Sequence, residues 1–135
     1  MNKKLISLRE KYRQLSIRLG ASPTFQTFFE TAQHDGTPHV EIDGDEYIYV
    51  VTERGLRYDE QRTTDEDEIL YWLLADASWA MASGYELRNR IEGQDFRRLL
   101  FAKDIELMEN VNREWGERKR KYYANILMEH PYNDG

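Results

Sequence analysis

The stretch Glu68–Gly84, reading EILYWLLADASWAMASG, sets the terms for the rest of the chain. Between Ile69 and Ala82 only Asp76 and Ser78 are clearly polar. Trp72 and Trp79 stand almost two whole helical turns apart, so a helix puts both indoles on one face. Leu73, Leu74, Ala75, Ala77, Ala80 and Met81 cover most of the remaining circumference. A helix apolar nearly all round belongs in the middle of a core or in a membrane. A bilayer span takes about 20 apolar residues. This run is shorter, contains Asp76 and is led in by Asp65-Glu66-Asp67-Glu68. The expectation is a buried central helix with the other elements laid against it.

Working outward, 135 residues with 40% apolar and 13% aromatic side chains suffice for one domain, residues 1–135, with a core of its own. The chain has no cysteine, which excludes disulfides, thiolate metal sites and a cysteine nucleophile. The N-terminus, MNKKLISLREKYRQL, has no long apolar run because Arg9, Lys11 and Arg13 interrupt it. It does not read as a secretion signal, and a cytoplasmic location is expected. The net charge of −6 hides an asymmetry. Glu41 to Glu68 holds eleven acids against three arginines, 3 − 11 = −8, whereas the first twenty residues hold six bases against one acid, 6 − 1 = +5. An acidic patch repels nucleic acid and attracts basic partners, although such charges also serve simply to keep a small domain soluble.

Along the chain, Lys3 to Leu19 reads as an amphipathic helix, with Leu5, Leu8, Tyr12, Leu15 and Leu19 inward and Gly20 at its C-cap. Residues 21–37 are poorly determined; Thr24 to Ala32 fits a short helix or an irregular strand. From Pro38 the period becomes two. His39 to Asp43, a Gly44-Asp45 turn and Glu46 to Glu53 form a β-hairpin signal. Arg54-Gly55 turns again into a third strand, Leu56 to about Thr63. If Val40, Ile42, Ile48 and Val50 face the core, Glu41, Asp43, Tyr47 and Tyr49 share the opposite face. That face is either a tyrosine-bearing recognition surface or a half-buried layer under the N-terminal helix. Thr64 and Asp65 cap the central helix, which continues or restarts beyond Gly84 and breaks at Gly93. A helix from about Gln94 to Asn110 points Phe96, Leu100, Leu107 and Val111 inward, with Phe101, Ile105 and Met108 beside them and Arg97, Arg98, Lys103, Asp104 and Glu106 flanking. Asn112 caps a last helix with Trp115, Tyr122, Ile126 and Leu127 inward.

Few patterns carry chemistry. His34, His39 and His130 have no metal-ligand spacing, and Asp43-Gly44-Asp45 lacks the calcium-loop pattern. No metal, cofactor or catalytic residue is expected. No nucleophile elbow surrounds Ser78 or Ser83, and the glycines are scattered as turn and cap residues. Arg118-Lys119-Arg120-Lys121 beside Tyr122-Tyr123 suggests nucleic acid, but neighbouring Glu114 and Glu117 favour a solvated helix face. The dense polar cluster is Glu86, Arg90, Asp95, Arg97 and Arg98, with Arg98 in pairing reach of Asp95 and Arg90 of Glu86. It reads as a structural network tying a helix corner together, with a charged active site as its rival.

Several runs carry a family resemblance: Val50-Val51-Thr52-Glu53-Arg54-Gly55, then Asp67 to Trp72 as DEILYW, Tyr85-Glu86-Leu87, and Arg90 to Phe101 as RIEGQDFRRLLF. Glu114-Trp115 and the ending His130-Pro131 follow in the same order. From about Pro38 to its end the chain resembles the bacterial immunity protein 63 family of polymorphic toxin systems, which include contact-dependent growth inhibition. Asn112-Arg113 departs from the pattern, where a proline is expected before Glu114-Trp115; this touches only a helix cap. The resemblance implies an antitoxin that binds the toxic C-terminal domain of a cognate effector, and no family catalytic residues accompany it. The acidic surface fits a basic nuclease as the toxin. The expected contact residues are Glu41, Asp43, Asp45, Glu46, Tyr47, Tyr49, Asp59, Glu60, Asp65 and Glu66, with the tyrosines as anchors.

The fold expected is α+β: an N-terminal helix, a small antiparallel sheet of about three strands, then three helices around the central apolar one. The function expected is a non-enzymatic, stoichiometric toxin neutraliser, acting as a monomer or weak homodimer without nucleic acid or membrane. One alternative is a small enzyme built on Glu86, Arg90, Asp95, Arg97 and Arg98, which requires an open pocket with strongly shifted ionisation. The other is an interaction domain unrelated to toxins, which requires a large apolar patch and self-association.

Overall fold

A computed structural model of the chain, describing residues 2–135, has the expected α+β order. Helix α1 (Lys3–Leu19) precedes strands β1 (Asp35–Asp43), β2 (Glu46–Glu53) and β3 (Leu56–Thr63), and helices α2 (Glu66–Arg88), α3 (Arg97–Val111) and α4 (Arg113–Glu129) follow. The chain divides into two compact units, one of residues up to Ile17 with Ser22–Leu74, the other of Arg18–Ala21 with Ala75–Gly135. The first part of α2 belongs to the former and the rest to the latter.

In the first unit the strands form an antiparallel sheet in the order β1-β2-β3. Gly44 alone has positive φ in the first turn, while Arg54 and Gly55 both do in the second, at 52° and 83°. Paired positive φ values are what a type I′ turn needs to match the strand twist. The two-residue turns also fix which side chains share a face. Ile42 pairs with Tyr47 and Val40 with Tyr49, while Glu41 pairs with Ile48 and His39 with Val50. Directly opposed residues point the same way, so the expected grouping of Val40, Ile42, Ile48 and Val50 on one face is wrong. An odd residue meets an even one across such a turn, and each apolar pair of β1 sits with the tyrosines. Tyr47, Ile48, Tyr49 and Val50 are all buried, so β2 is covered on both faces.

The tyrosine face meets helices. Tyr47 donates to Glu66 at 3.2 Å, Lys4 lies 4.9 Å from its ring centroid, and Tyr49 meets Trp72 edge-to-face at 6.0 Å. Beside α1, Thr24 to Ala32 forms neither of the regular elements expected of it, and β1 starts at Asp35, ahead of the expected His39. A single 3₁₀ turn, Pro23–Phe25, leads to Phe29, which bridges in parallel to His39. Tyr12 donates to the Phe25 carbonyl at 3.0 Å and packs edge-on against Phe28, while Arg9 lies over the Phe28 ring and pairs with Glu30. Contacts from outside the segment therefore shape it.

In the second unit α2 runs unbroken to Arg88. It is not buried all round, because Asp76, Trp79, Ala80 and Leu87 are exposed. Helix α3 starts at Arg97 rather than Gln94, which leaves Phe96 outside it and half exposed. Its buried set is Leu100, Phe101, Leu107, Met108 and Val111 together with Asp104, which was expected on the flank. Helix α4 fully buries Gly116, Lys119 and Tyr123; of the residues expected inward, Trp115, Ile126 and Leu127 are half-buried and Tyr122 is exposed. Gly116 is where α3 comes closest: a Cβ there would stand 2.7 Å from Glu109 Cβ and 2.8 Å from its Cα. The two helices approach so closely that the glycine, not the indole beside it, must face inward. Asn112 caps α4 as expected, its side-chain oxygen accepting from the Glu114 and Trp115 amides at 2.9 and 3.3 Å.

Candidate partner-binding surface

The acids of the sheet are organised by two arginines. Arg57 and Arg62 of β3 reach over β2 to β1: Arg57 pairs with Glu41 at 3.3 Å and Arg62 with Asp43 at 3.3 Å. Arg57 also pairs with Glu60 at 2.6 Å, and Arg62 with Glu60 and Glu46 at 3.4 and 3.5 Å. Four carboxylates against two guanidiniums leave this face with a net charge of −2. His39 holds the Glu41 carboxyl below the ordinary range, assisted by Arg57, and Arg57 does the same for Glu60. His39 Nε2 lies 2.7 Å from Glu41 Oε2, while its buried Nδ1 has no hydrogen-bond partner among the described residues.

The remaining contact candidates scatter. Asp59 is exposed and accepts from Gln61 at 3.0 Å, with no cation paired to it among the described residues. Asp45 is exposed in the first turn, and its carbonyl takes Lys4 Nζ at 3.3 Å. Asp65 accepts from the Asp67 amide at 2.9 Å and so caps α2. Glu66 faces α1, where Lys11 and Ser7 donate to it along with Tyr47. Burial opposes its charge, yet Lys11 prevails and its carboxyl is lowered. Part of the acidic stretch is thus neutralised by the basic first helix.

Tyr47 and Tyr49, at 3% and 8% exposure, are interior groups. Burial, aided by the Glu66 charge, pushes the Tyr47 phenol up to about 12. The exposed large side chains of the sheet are instead Leu56 and Tyr58 of β3, at 65% and 66%. Sequence reasoning missed Tyr58, because it sits at an irregularity: Val51 pairs with Asp59 and Thr52 with Arg57, so Tyr58 is the extra residue. Nothing in the alternation signals that bulge.

The polar corner of the second unit pairs differently from the expected Asp95–Arg98 contact. Glu86 takes Arg90 through two hydrogen bonds of 2.9 and 2.7 Å. Asp95 takes Arg97 at 2.8 Å and the Asn133 amide at 2.9 Å, and Arg97 also donates to the His130 and Pro131 carbonyls. Arg98 pairs with Asp134 at 3.0 Å and stacks over Tyr132. The result is a clamp on the C-terminal residues. Arg90, Asp95 and Arg97 do line an open depression with Gly93 and Asn133. Arg97 and the backbone amides hold the Asp95 carboxyl far below the usual carboxylate range. A carboxylate held so firmly ionised is a poor general base at neutral pH.

Sequence reasoning also missed a buried cluster in the second unit. Asp104 has no exposure, and Lys119 Nζ lies 2.8 Å from its Oδ2. The Ser78 and Tyr123 hydroxyls donate to the same carboxylate, and Phe101 stacks on Tyr123 with ring centroids 3.9 Å apart. The cluster ties α2, α3 and α4 together without opening to solvent. Among the described residues no group of three His, Cys, Asp or Glu side chains could hold a metal ion, and no helix is long and apolar enough to cross a membrane.

The fold and its charged surfaces describe a small α+β protein whose polar groups are largely engaged with one another. Residues 43–125 match the family described as Immunity protein 63. The match covers more than half of the chain, and the protein belongs to that family. Membership implies a toxin as partner and points to a non-enzymatic role. No curated protein and no solved structure matches.

Proposed function

We propose that the protein neutralises a cognate toxin domain in the cytoplasm by forming a stoichiometric complex, with no catalysis of its own. Membership of the immunity family carries this reading. The acidic sheet supports a more specific one, in which the toxin is a basic nuclease of a contact-dependent or related polymorphic system. Glu41, Asp43, Glu46 and Glu60 outnumber the arginines they pair with, and Asp59 and Asp45 lie exposed nearby. Such a surface steers association with a positively charged groove and competes with its nucleic acid. Tyr47 and Tyr49 then act through the sheet's integrity, by anchoring it to α1 and α2. Glu86, Arg90, Asp95, Arg97 and Arg98 serve as a structural clamp.

Co-expression tests this directly. The toxic C-terminal domain encoded beside this gene should arrest growth alone and be harmless with the intact protein. Continued arrest at matched expression would overturn the proposal.

A further inference from the structure

Strand β3 is built unlike the other two. Seven of its eight residues are exposed and none is buried, so it adds nothing to the hydrophobic core. It is held by its backbone ladder to β2 and by the arginine–carboxylate pairs, and its other edge is open. Among the described residues no backbone group of β3 bonds outside the sheet. The opposite edge of the sheet is partly covered: the Phe29 carbonyl takes the Val40 amide at 2.9 Å, in register with the Phe29–His39 bridge. An open edge is a template for another strand, and proteins normally shorten, cover or twist such edges away. Here the bulge at Tyr58 bends one end, but Asp59 to Thr63 continues in regular register.

We propose that β3 is where the toxin docks, by laying an extended, basic segment against this edge as a fourth strand; this rests on the immunity reading above. Backbone pairing would supply affinity, and the side chains opposite β3 would supply choice. Charge identifies the occupant. Adjacent Asp59 and Glu60 would stand opposite two consecutive residues of the incoming strand; Glu60 is already held by Arg57 and Arg62, whereas Asp59 has no cation of its own among the described residues. Opposite charges across a strand pair stabilise it and like charges oppose it, so lysine or arginine fits there. A second copy of this chain fits poorly in the register that would pair the most residues. The antiparallel register that pairs all of Leu56–Thr63 with itself sets Arg57 against Arg62 and Asp59 against Glu60, like against like at both charged pairs. Leu56 and Tyr58 would flank the new strand with apolar surface.

The test is amide hydrogen exchange of the whole chain, alone and with an inactivated form of the neighbouring toxin domain. In the free protein, alternate β3 amides point away from β2 and exchange fast. In the complex those same amides should slow at least tenfold, in a period-two pattern across Asp59–Thr63. Asp59→Lys, which removes no ion pair among the described residues, should weaken binding by about tenfold and flatten its salt dependence. Binding with unchanged β3 exchange, or with protection confined to other surfaces, would overturn the strand proposal and leave the immunity reading intact. Slowing of the same amides at high protein concentration without toxin would show a second copy as the occupant and overturn the choice of partner. Absence of any binding would overturn both.

Discussion

Asp104 accepts from Lys119, Ser78 and Tyr123 with no access to water, in the middle of what otherwise reads as an apolar stripe. A buried charge survives only when its partners are in place, and removing one partner strands the other. Asp104→Ala should therefore destabilise the fold by about 3 kcal/mol, because the Lys119 ammonium loses its counter-ion. Tyr123→Phe keeps the stack on Phe101 and removes only one donor; about 1–2 kcal/mol is expected. Chemical denaturation of both variants checks the ranking, and equal losses would contradict it. None of this cluster was legible in the sequence. Ser78 and Asp104 each interrupt an apolar face, and a lone polar residue carries no sign of which distant residue satisfies it.

At the scale of elements the sequence was more informative, and its failures have physical causes. Helix α1 and the two hairpin turns fall where periodicity, Gly20, Gly44 and Gly55 place them. The face assignment failed because alternation along each strand was read without the register across the turn. In a two-residue hairpin, residue 43 meets 46, and each pair from there to Pro38–Val51 joins odd to even. That rule would have put Tyr47 and Tyr49 with Ile42 and Val40 and predicted their burial. Residues 25–34 were illegible because groups outside the segment hold them: Tyr12 and Arg9 pin Phe25 to Glu30, and Thr52 and Arg54 hold His34. Gly116, which reads with the other glycines as a turn or cap residue, instead sits inside α4 where Glu109 of α3 comes close. Gly116→Ala ordinarily helps a helix, yet here the methyl meets Glu109 backbone, so a loss of roughly 1–3 kcal/mol is expected. Asn112→Ala should cost about 1 kcal/mol through the lost cap. Thermal melts separate the two, and a stabilised Gly116→Ala would show that α3 and α4 are not in close contact there.

Over the molecule as a whole, ionisation brackets stability from both sides. Glu41, Glu60, Glu66, Glu86, Asp95 and Asp134 all have carboxyls lowered by partners in the fold. Groups lowered on folding stabilise fully above the unfolded carboxylate value of about 4, and that contribution fades as pH falls through their folded values. Tyr47 is raised to about 12, so its contribution is present below about pH 10 and is lost as pH climbs toward 12. Stability should be level from about pH 5 to 9 and fall on either side, and Tyr47→Phe should remove part of the alkaline limb. Denaturation midpoints across pH check this, and an unchanged alkaline limb in the variant would contradict the assignment to Tyr47.

The same charges that shape this profile bear on recognition, since the acids of the sheet exceed their internal partners. Calorimetric titration of the neighbouring toxin domain with this protein, at low and at high salt, tests the central claim most directly. An immunity protein that meets a basic toxin through its acidic sheet gives a 1:1 complex with nanomolar affinity, weakened by salt and by reversing Asp43, Asp45 and Glu46. No heat of binding at either salt, with a toxin domain known to be folded and active, would contradict it.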